Sequence, residues 1–168
     1  MSTFTPGPWT LDPAGSTVRF AHKTFWGLVT VKGVFGSVRG EGTLAADGSA
    51  AGRLVVDAAS LDTRLAKRDT HLRSKDFFEV DAHPEIVFTA TSVTAGADGT
   101  AQVEGELQVR GRSLKQSFPV RYESQGTDAV LLRGDVVIDR AQYGLTWNQL
   151  GMLRGLTTIG LELRFTAG

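Results

Sequence analysis

Runs of residues in which apolar and polar side chains take turns recur along this chain, and no other feature constrains its fold as much. Val103, Gly105, Leu107 and Val109 alternate with Gln102, Glu104, Glu106, Gln108 and Arg110. Successive side chains on a strand point to opposite faces, so such a run is a pleated strand with one face turned to a core and the other to water. Val18, Phe20 and His22 form another run, and Ile86 and Phe88 open a third. Leu114, Phe118, Val120 and Tyr122 form a fourth, and Ile159, Leu161, Leu163 and Phe165 a last one near the C-terminus. Between the runs lie Asp47-Gly48, Gly96-Ala97-Asp98-Gly99, Gly111-Arg112-Ser113 and Gln125-Gly126-Thr127-Asp128, whose Gly and Asp residues tolerate turn dihedrals.

Strand, turn, strand is therefore the repeated unit, with too little helix between strands for parallel crossovers. About eight such strands predict an all-β, up-and-down antiparallel sheet, and closure into a barrel removes its exposed edges. The chain has 168 residues, which fits one domain over 1–168. Gly33, Gly105 and Gly134 fall inside strand patterns and mark bends or bulges.

One stretch breaks the alternation. From Leu61 to Phe78 the charge density rises, and Leu61, Leu65 and Leu72 fall at helical spacing, which predicts a short helix over Leu65 to Ser74. Arg68 lies on the same stripe and needs a partner or an exit, while Asp69 and Arg73 are spaced to pair along the helix.

Composition excludes several functions. Lys plus Arg and Asp plus Glu number 18 each, so no net field draws the chain to nucleic acid or an anionic membrane. There is no cysteine, hence no disulfide, thiol nucleophile or thiolate metal site. His22, His71 and His83 stand in no metal-binding spacing, and neither a nucleophile elbow nor a phosphate-cradling glycine loop is present, so no catalytic or metal residues are assigned. No run is long enough for stable membrane insertion. The opening Met1-Ser2-Thr3-Phe4-Thr5-Pro6-Gly7-Pro8 lacks the charged and apolar regions of a secretory signal, which predicts a cytoplasmic protein.

Arg68-Asp69-Thr70-His71-Leu72-Arg73-Ser74-Lys75-Asp76-Phe77-Phe78, followed by Pro84-Glu85-Ile86-Val87-Phe88, resembles the signature of the YceI-like family, lipocalin-like barrels associated with binding polyisoprenoids. Trp9-Thr10-Leu11-Asp12, Phe20-Ala21-His22, Gly33-Val34-Phe35, the run from Gly105 to Gly111 and the run from Asp139 to Leu145 add to the likeness. The chain departs from the family at Gly15-Ser16, where a His often precedes the Ser. It departs again at Arg154-Gly155-Leu156-Thr157-Thr158, where an acidic stretch is common.

The resemblance implies an elongated barrel with a short helix near its mouth, a hydrophobic channel for an isoprenoid lipid such as a polyprenyl phosphate or quinone, no further cofactor, and a homodimer. Val18, Phe20, His22 and Phe35 would then line the channel, with Arg68, His71, Phe77 and Phe78 at its mouth. Phe88, Leu107, Phe118 and Tyr122 would continue the wall; the apolar segment with Trp147 and Met152 suits either a second lip of the pocket or a dimer contact.

From the residues alone two readings of each group stand. His22 either meets a ligand or is satisfied within the protein, by backbone or by Tyr122 or Tyr143. Arg68, His71 and Arg73 either meet a head group or join Asp69, Asp76 and Glu79 in a structural network. The aromatic residues, Phe25 and Trp26 among them, either line a cavity or fill the barrel. An enzyme using His22 as general base on a small apolar substrate, and a filled barrel serving as a stress-related interaction protein, are the alternatives to lipid binding.

Overall fold

The computed structural model describes residues 4–24, 29–74, 78–139 and 153–168. Among the described residues eleven strands share one antiparallel sheet: β1 (Gly7–Leu11), β2 (Thr17–Thr24), β3 (Val29–Phe35), β4 (Val38–Leu44), β5 (Ala50–Asp57), β6 (Leu61–Asp62), β7 (Glu85–Ala95), β8 (Thr100–Val109), β9 (Arg112–Ser124), β10 (Ala129–Asp139) and β11 (Leu153–Ala167). β1 and β2 both pair with β11, β3 pairs with β2 while β4 pairs with β1, and β5 continues through a tight turn into β6. Each of these three couples is one bent stave, so the closed wall has eight staves in sequence order.

The bends have local causes. Asp12 caps the 3-10 turn Pro13–Gly15, its carboxylate accepting from Ala14 N–H at 3.1 Å, while Ser16 Oγ donates to Asp12 O at 2.7 Å. Asp57 and Ser60 repeat the device around Ala58–Ser60, at 3.1 and 2.6 Å. An Asp that captures the backbone two residues on competes with continued pairing and turns the strand. The tight β8–β9 turn is Arg110-Gly111, both at positive φ (52° and 75°), so Arg112 and Ser113 belong to β9 rather than to the turn.

Alternation is realised as expected: along β8 the residues at 101, 103, 105, 107 and 109 are buried and those between them exposed. The three strand glycines do different things. Gly105 faces the bulged part of β7, where a Cβ would lie 2.1 Å from Thr89 O. A Cβ at Gly33 would lie 2.5 Å from the Phe20 ring, which packs across it. Gly134 comes against Val120 and Pro119, just past Arg133 and Arg121, the last pair of the β9–β10 ladder.

The helix, α1 (Ala66–Arg73), sits where anticipated, but its supposed apolar stripe does not exist. Leu61 is fully buried on β6, Leu65 is 52% exposed, and of the three leucines Leu72 alone packs inward from the helix. Asp69 and Arg73 turn to other partners. The buried Asp69 accepts from Thr63 N–H at 2.9 Å and Thr63 Oγ1–H at 2.5 Å, while Arg73 donates to Ala59 O at 3.0 Å and Leu61 O at 2.8 Å. Backbone acceptors left open by the β5–β6 bend outcompete a surface ion pair of small worth.

Candidate functional site

The inward faces of the staves line a cavity of about 1000 Å³ that opens to the outside and reaches the turn between β4 and β5 at residues 45–48. The barrel is hollow because its inward side chains do not meet across the middle: Phe88, Leu132, Ile159 and Leu161 face inward yet keep exposed surface. Leu61 is the only large side chain among the described residues that is fully enclosed. Register explains part of the void. Trp9, Gly42, Gly52, Ala90, Gly105 and Gln116 stand side by side across β1, β4, β5, β7, β8 and β9, so four neighbouring staves carry at most a methyl at one level.

The aromatic residues line this space in groups. Phe20 and Phe35 have ring centroids 5.3 Å apart, and Phe35 meets Phe78 edge-on at 6.1 Å. Phe88 and Phe118 pair at 5.4 Å on the other wall. Val18, Leu107 and Tyr122 also border the cavity. Phe77, Trp147 and Met152, with Phe25, Trp26 and Asp76, lie outside the described residues.

His22 borders the cavity, 8% exposed, and stands directly opposite Thr157 across the β2–β11 ladder, with Nδ1 2.9 Å from Thr157 Oγ1. One partner is thus a threonine that sequence did not suggest, while Tyr143 lies outside the described residues. Arg68 and His71 border the cavity at the helix end, as does Lys67. Arg68 is anchored to Thr63, donating from Nε to Oγ1 and from Nη2 to the backbone O, each at 2.8 Å. Thr63 therefore joins Arg68 and Asp69 in a local network, without the Arg68–Asp69 pairing that the sequence reading offered, and Asp76 lies outside the described residues. Glu79 instead meets Arg110 at 3.5 Å and His83 at 4.0 Å, outside the helix.

Sequence reasoning missed Trp9, Gln116 and Thr157 as cavity residues. Gln116 was within reach: it sits between Leu114 and Phe118 at the same two-residue period. Among the described residues no group of three or more His, Cys, Asp and Glu side chains converges as metal ligands would, and no helix is long and apolar enough to cross a membrane.

A hollow up-and-down barrel with a short helix at one end defines a lipocalin-like architecture. A YceI-like domain model matches residues 9–167, and the chain belongs to the YceI-like family. A UPF0312 protein of Staphylococcus aureus (strain N315) is 29% identical, over 95% of this chain and 94% of that one. A UPF0312 protein of Ectopseudomonas mendocina is 35% identical over 75 residues, 45% of this chain but 39% of that relative. Among solved structures, Burkholderia cenocepacia BcnA superposes with TM-score 0.83 at 18% identity, covering 92% of this chain and 98% of that one. A polyisoprenoid binding domain from Saccharophagus degradans, implicated in plant cell wall breakdown, gives 0.78 at 17% identity, covering 98% and 100%. At these identities the two structures speak for the fold.

Proposed function

We propose that this protein holds a long isoprenoid-type lipid, a polyprenyl phosphate or an isoprenoid quinone, tail-first in the barrel for storage, transport or sequestration. The observation that carries the reading is a largely apolar cavity with cationic Lys67 and Arg68, and His71, grouped at its helix end. An apolar tail gains about 0.8 kcal/mol for each methylene buried, and a cationic rim suits a phosphate or carbonyl. The polyisoprenoid-binding neighbour in Saccharophagus degradans supports the same ligand class. His22 paired to Thr157 supports a wall residue rather than a general base. On this reading the protein is a cytoplasmic homodimer; sedimentation as a single 18.0 kDa chain would remove the dimer.

Native mass spectrometry of gently purified protein tests the function. Adducts that extract as prenyl lipids are the expected result. A protein that always arrives empty and cannot be loaded with a polyprenyl phosphate or quinone rejects it.

A further inference from the structure

At the end of the cavity away from α1, three aromatic rings cross the interior. Phe4 meets Trp9 of β1 edge-on with centroids 5.8 Å apart, and meets Tyr122 of β9 at 6.3 Å. β1 and β9 are separated in the wall by β11 and β10, so Phe4 bridges staves that are not neighbours. All three rings border the cavity. Phe4 is held there by its neighbour Thr5, whose N–H donates to Thr127 O at 3.0 Å and whose hydroxyl donates to Asp128 Oδ1 at 2.6 Å. Trp9 Nε1–H donates to Thr5 O at 2.8 Å, tying the strap to the floor it forms.

We propose that Phe4, seated on Trp9 and Tyr122, is the stop that sets how long a tail the cavity accepts. This rests on the lipid reading above and adds to it a specificity residue. A tail entering past α1 travels along Phe20, Phe88 and Phe118 and meets Phe4 last. The tail gains burial with each added unit only as far as Phe4, so the distance from α1 to that ring sets the length at which the gain ends. The strap attaches through the Thr5 backbone and hydroxyl and through Trp9, so replacing the Phe4 ring changes the stop without cutting its anchors.

The test uses the full chain and a graded series of all-trans polyprenyl monophosphates, one isoprene unit apart and below their micellar concentrations, with binding followed by Trp fluorescence and calorimetry. Affinity is expected to rise at least about tenfold per unit, as burial of methylenes requires, up to the length at which the tail reaches Phe4, where it levels off. Phe4→Ala should move that break at least one unit longer and Phe4→Trp should move it shorter, with thermal unfolding of both variants confirming the fold. A break at one length in all three proteins overturns the stop and leaves the lipid reading intact. No binding at any length overturns the lipid reading, and the stop with it.

Discussion

Replacing Gly105 by Ala tests whether the wall is built as described. The added Cβ would lie 2.1 Å from Thr89 O and 2.9 Å from Ala90 Cα, both backbone atoms of β7, whereas real Cβ contacts almost never fall below 3.0 Å. β7 and β8 would have to part by nearly 1 Å at a point where strand spacing is normally about 4.8 Å. Overpacking of this kind costs about 1–3 kcal/mol, and strained ladder bonds add about 1 kcal/mol. Against this stands a gain of about 0.4–1 kcal/mol from the stiffer unfolded chain. The net expectation is a loss of about 1–3.6 kcal/mol. Gly36→Ala is the matched control. Its nearest contact would be Ser60 O at 3.8 Å, so only the entropic gain remains. Urea unfolding of both variants, with unchanged m-values, reads the difference directly. If Gly105→Ala falls within about 0.5 kcal/mol of the parent, or Gly36→Ala is equally harmful, the steric account of the wall is wrong.

Further outcomes follow from the helix, the interior and the surface. Asp69→Ala strips two hydrogen bonds from buried Thr63 and should cost about 3 kcal/mol, with Asp69→Asn costing less; equal losses in urea unfolding would show that the carboxylate does not anchor α1. Thr157→Val should cost about 1 kcal/mol, and His22→Leu combined with it should cost less than the two singly; strict additivity would mean the pair does not interact. The Ser49 hydroxyl, then its N–H, holds the Asp47 carboxyl below its ordinary range, so the stabilisation it brings is present above the unfolded value and is lost as pH falls through the lowered one. In Ser49→Ala the Asp47 midpoint, followed by NMR, should rise towards that ordinary value, and an unmoved midpoint contradicts the assignment.

Much of the barrel is written in local pattern. Alternation places Val103, Leu107 and Val109 inside, because a strand allows only two directions for a side chain. The helix stripe misled for a physical reason: eight residues make little more than two turns, and the inward side of so short a roof carries Arg68 and His71 beside Leu72. Leu61 owes its burial to a two-residue strand that no periodicity can detect. Of the site, Phe20, Phe88 and Phe118 were legible as inward aromatics. The level shared by Gly42, Gly52, Ala90 and Gly105 was not, because it exists only once register aligns four distant segments. The same holds for His22 and Thr157, which are 135 residues apart.

Closure by β11 has a kinetic consequence. This strand alone joins β10 on one edge to β1 and β2 on the other, and Thr10 lies 158 residues from the Gly168 carbonyl to which it donates. During synthesis, therefore, a nascent chain owns no enclosed interior until Leu153–Ala167 has been made. Contacts this distant in sequence slow folding, and until they form the inner faces of β8 and β9 are open to water and to other chains. A guest that occupies only the sealed barrel would pull this last step forward by mass action, making its supply a determinant of how much folded protein accumulates.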